Sequence, residues 1–278
     1  QIQSRGLGDV YKRQMLRTTE YYQRWRMDYR LYAPILRYAR EHGLPVVALN
    51  LPAELTRQVG RHGMDGLSEE ARARLPAEID RTDAAYAQRV REVFAYHPND
   101  RGQSFEHFLE VQLLWDEGMA ERAAGFLKAN PDHQLVILAG NGHVAWGSAI
   151  PQRLTRRLPV ETATIVNSPD GTVEPGIADY LLLPKRQSLP PAGKIGALLE
   201  ETDEAVSVES CFEDSPCAAA GIRRGDRITG IDDTAISNLT ELRLELWDRK
   251  PGETIRLDIL RPRLFLKDKA MTHEITLK

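Results

Sequence analysis

The four residues Gly140-Asn141-Gly142-His143 have the types and spacing that bind a ligand. They follow an apolar run at residues 134–139 that has the length of a buried strand. Histidine binds metal ions and exchanges protons near neutral pH, so we predict that His143 is a metal ligand. Gly140 and Gly142 should allow close backbone approach, and Asn141 should tolerate a positive φ. The imidazole would then lie at the carboxyl end of a strand, where open α/β sheets bind ligands. The alternative is a loop-tip histidine bonded to backbone.

A helix predicted over residues 104–130 carries a second group of polar side chains. Gln112 and Asp116 are four residues apart and therefore share one helix face, beside apolar residues. We predict that these two side chains, and after them Glu110, reach the same pocket as His143. The alternative is a solvated stripe of carboxylates with ordinary helix pairs.

The last third of the chain holds a candidate site for the carboxylate end of a peptide. A glycine-flanked loop at residues 194–197 can present consecutive backbone N–H groups to a carboxylate. The strand predicted at residues 195–200 can pair with an added peptide strand, and a helix capped by Asn238 would form the other wall. Alternatively, the leucines of that helix are only its core face. The predicted peptide-binding residues are Ile195, Gly196, Ala197, Leu239, Leu242 and Leu246.

The composition gives no support to several classes of protein. The 278 residues include 37 basic and 40 acidic side chains, for a net charge of −3, which gives no electrostatic reason to expect nucleic-acid binding. No apolar run reaches the roughly 18 residues of a membrane-spanning helix. The two cysteines, Cys211 and Cys217, are too few for a metal cage and leave the redox compartment open.

The pattern along the chain predicts four segments. Residues 1–14 show no apolar period and resemble translated sequencing-adapter sequence, so we expect them to be foreign to the fold. Residues 15–183 alternate helices with apolar strands, which predicts an α/β domain with a mostly parallel sheet flanked by helices. Residues 184–193 contain three prolines and have linker composition, and residues 194–278 predict a β-rich domain. The strands predicted in the α/β domain lie at residues 45–50, 134–139, 160–166 and 180–183.

Residues 193–278 resemble a PDZ domain of the bacterial type. The most specific feature is Gly225-Asp226 followed by an apolar strand. The resemblance implies that this region binds a C-terminal or internal peptide of a partner protein, and we expect an apolar last residue in that peptide. The features that carry the resemblance, in order, are Lys194-Ile195-Gly196-Ala197, residues 215–228, Asp232-Asp233 and Ser237-Asn238.

Residues 18–183 resemble the ChaN-like family of iron-regulated, haem-binding proteins, which shares a clan with erythromycin esterase-like and Tiki-type proteins. The resemblance implies haem as the cofactor, held at the subunit interface of a homodimer. The family's first strand, which ends in a Gly-Glu-Thr-His-type sequence, has no counterpart here, so we expect that the N-terminal part of the domain is missing. The stretches that carry the resemblance are Trp25-Arg-Met-Asp28-Tyr29, Pro45-Val-Val-Ala-Leu-Asn50, residues 105–120 and Ala139-Gly140-Asn141-Gly142-His143.

A haem site needs an apolar slot and an axial ligand such as histidine or tyrosine. The available phenols are on the helix predicted over residues 20–41, where aromatic stripes are more often core, so we name no axial ligand from the sequence. Those phenols are Tyr22, Tyr29, Tyr32 and Tyr38. The predicted cofactor-binding residues are His143, Gly140, Asn141, Gly142, Gln112, Asp116 and Glu110.

Three functions are compatible with these features. The first is a haem- or iron-handling binding protein, periplasmic or anchored to the outer membrane as a lipoprotein, whose PDZ module binds a peptide. The second is a metal-dependent hydrolase of the Tiki or erythromycin esterase type, in which His143 would help to hold a metal ion that activates water. The third is a non-catalytic interaction scaffold. We favour the first because of the family resemblance.

Overall fold

The computed structural model describes residues 7–25, 27–96, 104–168, 170–202, 205–264 and 266–278. These residues form two compact units. One consists of the chain up to residue 38 together with residues 188–278, and the other consists of residues 39–187. No helix among the described residues is both long enough and apolar enough to cross a membrane. Residues 1–6 of the segment that we expect to be foreign lie outside the described residues, and the rest of that segment belongs to the first helix.

Ten helices and eight strands are described, and most of the helices precede most of the strands. The helices are α1 (Leu7–Thr18), α2 (Tyr21–Arg24), α3 (Tyr29–Glu41), α4 (Ala53–His62), α5 (Glu69–Arg72), α6 (Ala84–Ala95), α7 (Phe105–Ala129), α8 (Ile150–Arg157), α9 (Pro216–Ala219) and α10 (Leu239–Leu246). The strands are β1 (Ile165–Asn167), β2 (Tyr180–Leu182), β3 (Ala197–Glu201), β4 (Val206–Cys211), β5 (Arg227–Ile231), β6 (Thr234–Ala235), β7 (Thr254–Arg263) and β8 (Leu266–Thr276).

Helix α7 is the centre of the unit formed by residues 39–187. It begins where the Ser104 hydroxyl accepts a hydrogen bond from the His107 N–H, as its predicted start requires. Its buried side chains enter three separate apolar clusters, against α4, α6 and α8. Gly118 is needed in the helix interior, because any larger residue would place a Cβ within 2.6 Å of the Leu51 side chain. One helix therefore fixes the positions of its three neighbours.

Two consecutive acidic residues of α7 are buried. Asp116 is 1% exposed and Glu117 is fully buried. The Glu117 carboxylate makes ion pairs with Arg153 at 3.2 Å, Arg156 at 2.7 Å and Arg157 at 2.6 Å, all on α8. Because an unpaired buried charge costs several kcal/mol, these pairs bind α8 firmly in its position against α7.

The mostly parallel sheet predicted for this unit is not confirmed. The predicted strands at residues 45–50 and 134–139 are extended but pair with no other strand among the described residues. Their inward side chains, such as Leu49 and Ile137, pack on α7, whereas Val136 is 83% exposed. The prediction that these two apolar runs are buried strands of a parallel sheet is therefore not confirmed, because an apolar run by itself carries no information about neighbouring strands. The parallel pairing that is described joins β1 to β2, in the region predicted at residues 160–183.

The C-terminal region is a β-rich domain with one long helix, as predicted. Its antiparallel strands lie in the order β3-β4-β5-β7-β8, with β6 beside β5. Strand β3 is therefore at one edge of the described sheet. The Asn238 side chain caps α10 by accepting from the Glu241 N–H, and Asp232 lies in the β5–β6 turn with a φ of 52°. Cys211 and Cys217 form a disulfide at the end of β4.

The helix predicted over residues 20–41 is instead two helices, α2 and α3, that pack within the same unit as the β domain. Tyr22 and Tyr29 are buried in a cluster with Leu244 and Trp247 of the α10 region. The Tyr29 and Trp247 rings meet edge to face, with 5.5 Å between centroids. These two phenols therefore belong to a packed aromatic cluster.

Asp226, the acidic residue of the Gly225-Asp226 pair, holds the β domain together through its carboxylate. It is 1% exposed and accepts two hydrogen bonds of 2.7 Å from Arg261 and one of 2.8 Å from the Arg223 N–H. Burial alone would raise the pKa of Asp226, but these donors outweigh burial and hold the pKa below its ordinary value. The ionised carboxylate thus stabilises the fold.

We expect Asp226→Asn to lower the free energy of unfolding at neutral pH by about 1.5–3 kcal/mol, because the charge-assisted hydrogen bonds from the partly exposed Arg261 are lost. The pKa of Asp226 in the folded state lies below the unfolded value of about 3.9, so its stabilisation is complete above that pH and is lost as the pH falls further. Urea unfolding followed by tryptophan fluorescence at pH 7 and pH 3 measures both effects. Asp233→Asn is the control, since the Asp233 side chain is 95% exposed. Equal losses in the two variants would contradict the assignment.

Candidate functional site

His143 lies beside helix α7 and is bonded to one of its buried acids. The distance between His143 Nδ1 and Asp116 Oδ1 is 2.6 Å. The other carboxylate oxygen of Asp116 accepts a 2.6 Å hydrogen bond from the Tyr86 hydroxyl on α6. The structure therefore brings together two of the predicted residues, His143 and Asp116, and adds Tyr86.

The order of these hydrogen bonds fixes the orientation of the imidazole. Burial, and then the nearby charge of Asp116, raise the pKa of Tyr86, so its hydroxyl stays protonated and donates. An ionised Asp116 oxygen can only accept, so beside it Nδ1 of His143 donates in this contact, and in a neutral imidazole the other ring nitrogen, Nε2, then carries the lone pair. The ring is also held by an edge contact with Trp115, at 6.0 Å between centroids.

This chain of side chains continues into the buried ion pairs of α7. The Arg153 guanidinium lies over the Tyr86 ring at 4.3 Å from its centroid, and it is also a partner of Glu117. The same guanidinium donates to the backbone oxygen of Ser148 at 2.6 Å, just after the loop that carries His143. The packing of α8 on α7 is thereby coupled to the position of Tyr86.

The backbone of the Gly140–His143 loop differs from the prediction. These residues form a short 3₁₀ turn, and none of Gly140, Asn141 and Gly142 has a positive φ. No described atom lies within 4 Å of a Cβ placed on Gly142. Open space surrounds Gly142, so no neighbouring part of the described chain requires a glycine there, and close approach of a ligand to this backbone stays a prediction. Asn141 instead donates from its side chain to the Asn167 oxygen at 3.1 Å and ties the loop to β1.

The unusual backbone conformation comes three residues after the histidine. Trp146 has a φ of 55°, which is costly for a bulky residue, by about 1–3 kcal/mol. Its N–H donates to the Ile177 oxygen at 2.6 Å, and the Arg89 guanidinium lies 5.4 Å from its ring centroid. These contacts hold the ring where it is 42% exposed on the same short loop as His143.

The other predicted residues of α7 do not all reach His143. Glu110 accepts from the Met64 N–H at 2.7 Å and pairs with Arg81 at 3.2 Å, so it holds the end of α4 instead. Gln112 is half-buried one turn before Asp116 on the same helix face. The alternative of a solvated carboxylate stripe is wrong, because Asp116 is buried.

Tyr86 is the functional residue that the sequence analysis missed. It is 4% exposed and lies on the apolar face of α6 with Val90. A tyrosine on a buried helix face needs a partner for its hydroxyl, which was the available signal. Its partner is Asp116, 30 residues away, and nothing in the local spacing identifies that pairing.

A cavity of about 280 Å³ lies between Asn141 and the region of β1, and its lining includes both polar and apolar side chains. Among the described residues, no group of three or more histidine, cysteine or acidic side chains is arranged to hold a metal ion. The donor set beside Asp116 is therefore one imidazole with a carboxylate behind it. The lining residues of the cavity include Asn141, Asn167, Ser168, Asp170, Thr172 and Glu174.

The second predicted site lies at the start of β3. Gly196 has a φ of 74°, and a Cβ there would lie 2.3 Å from the Ser215 Cβ, so glycine is required. Within the described part of the chain, the N–H groups of Ile195 and Gly196 donate to no other residue. The Leu239 N–H donates to Glu201 at 2.7 Å, which places α10 alongside β3. The loop therefore offers two adjacent N–H groups beside an open strand edge.

The three predicted leucines of α10 divide between the two alternatives. Leu242 is 4% exposed and belongs to the core of the β domain. Leu239 and Leu246 are only half-buried against that core. The first strand residue after the loop, Ala197, pairs with Cys211 of β4 and is also half-buried.

Tyr22 of the N-terminal helices is a poor candidate for an iron ligand that must be ionised. Burial raises the pKa of Tyr22 to about 12, with a further contribution from the charge of Asp28. Tyr38 is exposed on α3, and Tyr32 lies edge to face with Trp25.

The described geometry defines a helical domain with a carboxylate-backed histidine, joined in one chain to a β-rich domain with an open edge strand. The haem-binding uptake family of the Tiki superfamily, ChaN, matches residues 2–154, which is more than half of the chain. This chain therefore belongs to that family. A PDZ domain matches residues 193–278. Both resemblances stated from the sequence are confirmed, and the first match begins inside the segment that we expected to be foreign.

One curated relative is similar to most of the chain. The protein RETICULATA-RELATED 5 of Arabidopsis thaliana, described as chloroplastic, is 24% identical over 222 residues. The match covers 73% of this chain and 27% of that protein. The chain thus spans about a quarter of the length of this relative.

Several solved structures are similar to the chain over about a third of its length. An aminopeptidase N family protein from Idiomarina loihiensis is 26% identical with a TM-score of 0.28, over 34% of this chain and 15% of that chain. A serine endoprotease from Yersinia pestis is 27% identical with a TM-score of 0.26, over 31% and 28%. The PDZ domain of a carboxy-terminal protease from Vibrio cholerae, in complex with a peptide, is 22% identical with a TM-score of 0.26, over 31% and 93%. All three TM-scores are below 0.5, so the assignment rests on the family matches.

Proposed function

We propose that this protein binds haem through His143 and handles haem or iron, while its PDZ domain binds a peptide of a partner protein. The observation that carries the haem proposal is the 2.6 Å contact between His143 Nδ1 and Asp116, which leaves Nε2 as the ligating nitrogen. A carboxylate behind a ligating histidine fixes its tautomer and raises its basicity. Tyr86 completes the arrangement by holding the second oxygen of Asp116.

The residues present fit haem better than a hydrolytic metal ion. A catalytic zinc site takes three protein ligands and a water molecule. Haem brings its own four nitrogen donors and requires from the protein an axial ligand and an apolar slot. His143 would bind the haem iron, and bound haem would supply iron-centred ligand or redox chemistry. We therefore place haem binding before the metal-dependent hydrolase as the function of this domain.

Exposed apolar side chains near the loop support an apolar slot. Val136 and Leu138 precede the loop on residues 134–139 and are 83% and 58% exposed. Trp146 follows His143 and is also exposed, whereas Trp115 contacts the imidazole directly. Apolar side chains such as these gain stability when a ligand removes them from water. Haem held between two copies of the chain, as the family resemblance implies, would cover such a surface from both sides.

Haem titration of the full chain, followed by the Soret band, tests this proposal. We expect saturation near one haem per chain. His143→Ala should weaken binding by about tenfold or more and shift the band, because the axial nitrogen is lost. Asp116→Asn should weaken binding by roughly tenfold, because the orienting carboxylate is lost. The matched control is His133→Ala, whose side chain is exposed and contacts Phe126 instead.

Three outcomes can be told apart in this titration. A loss of haem affinity in His143→Ala, with no loss in His133→Ala, supports the proposal. An unchanged Soret band and affinity in His143→Ala would show that His143 is not the ligand. Free-haem behaviour of the wild-type chain would reject haem binding altogether and leave the scaffold function.

The peptide proposal rests on the free N–H groups of Ile195 and Gly196 beside the open edge of β3. A carboxylate can accept from both groups, and the peptide can extend the sheet as a further strand. Calorimetric titration of the full chain with a decapeptide ending in leucine should show saturable binding. The same peptide with an amidated C-terminus should bind with an affinity at least about tenfold lower, because the charged acceptor is gone. Equal affinity for both forms would contradict recognition of the carboxylate.

We also propose that the protein works in the periplasm or at the outer membrane. The support is the Cys211–Cys217 disulfide, since disulfides persist in oxidising compartments.

A further inference from the structure

The N-terminal helices contribute residues to a cavity at one end of α10. This cavity has a volume of about 270 Å³. From the PDZ domain it is lined by Gly193, Leu242 and Leu246, and from the N-terminal segment by Tyr22 and Met27, among others. All of these residues belong to one compact unit. The cavity is thus shared between a PDZ helix and a segment outside the PDZ match.

Two backbone contacts show that the end of α10 that lines this cavity is the end nearest the loop at residues 194–197. The N-terminal end of α10 lies at the last residue of β3, because the Leu239 N–H donates to Glu201 at 2.7 Å. The C-terminal end of α10 lies beside the start of the loop, because the Gly193 N–H donates to the Arg249 oxygen at 2.8 Å. Leu246 therefore lies at the end of α10 that is nearest to the N–H groups of residues 195 and 196.

The N-terminal segment is held at this position by several interactions. Arg30 donates to the Pro190 oxygen at 2.8 Å and pairs with Asp28 at 2.7 Å. The Arg243 guanidinium of α10 lies 5.5 Å from the centroid of the Tyr22 ring. Tyr22 is 7% exposed, whereas Met27 is 49% exposed, so its side chain has room to move when a ligand binds.

From this arrangement we infer that Tyr22, Met27, Asp28 and Arg30 form one wall of the pocket that receives the last side chain of the bound peptide. This inference rests on the proposed peptide binding and adds its specificity. Apolar walls from Leu246 and Met27 favour an apolar last residue. A cavity of about 150 Å³ holds a benzene ring, so 270 Å³ has room for phenylalanine or leucine. The substrate class is therefore a peptide that ends in a large apolar residue.

Calorimetric titration of the full chain with decapeptides that differ only in the last residue tests this inference. The wild-type chain should bind peptides ending in Phe or Leu more tightly than one ending in Ala. Met27→Ala should lower the affinity for the Phe peptide by about fivefold, because contact area is lost. Its affinity for the Ala peptide should stay within about twofold of that of the wild-type chain. Met27→Trp fills the cavity and should reduce the preference for Phe over Ala.

Leu31→Ala is the matched control, since Leu31 is also on α3, is 52% exposed and does not line the cavity. It should change neither affinity, and circular dichroism should show all variants folded. Equal affinities of Met27→Ala and Leu31→Ala for the Phe peptide would overturn the inference and leave peptide binding intact. Tighter binding by Met27→Ala would also overturn it, because the segment would then cover the groove. Absence of any peptide binding by the wild-type chain would overturn both proposals.

Discussion

Two adjacent buried carboxylates on one helix organise the haem-family domain. Glu117 is paired with three arginines of α8, and Asp116 is bonded to His143 and Tyr86. Neither charge could remain buried without these partners, so the partners must stay in place. Consecutive residues on a helix point about 100° apart, which lets one turn of α7 bind a neighbouring helix and a ligand loop together. Arg153 joins the two groups, because it contacts both Glu117 and the Tyr86 ring.

The two domains of the chain use the same physical device with different partners. In each, a buried acid is held by arginine. In the PDZ domain the acid is Asp226, paired with Arg261. In the haem-family domain it is Glu117, paired with three arginines of α8, and the neighbouring Asp116 is bonded to His143. Paired charges thus stabilise the frame of both domains, and the groups that we propose to bind ligands are small additions to it.

Local chemistry in the sequence was enough to predict many element boundaries and one half of the site. Ser104 and Asn238 start helices because their side chains accept from backbone N–H groups that the helix leaves unpaired. His143 and Asp116 were predicted to meet, and they do, because α7 packs directly beneath the segment that leads into the loop. Tyr86 could not be predicted, since its partner is distant in the chain. The sequence also could not show that the apolar run at residues 134–139 pairs with no strand among the described residues, because apolarity does not identify a neighbouring strand and two of its side chains, Val136 and Leu138, are exposed.

The central claim is that Asp116 fixes the tautomer of His143 and leaves Nε2 for a ligand. Long-range ¹H–¹⁵N correlation of the imidazole at about pH 8, where an ordinary imidazole is neutral, measures this directly. The resonances are assigned with His143→Ala. The account predicts a protonated Nδ1 and an unprotonated Nε2. It also predicts that Asp116→Asn changes the ratio of the two imidazole tautomers. A wild-type imidazole with its proton on Nε2, or one that Asp116→Asn leaves unchanged, would contradict it.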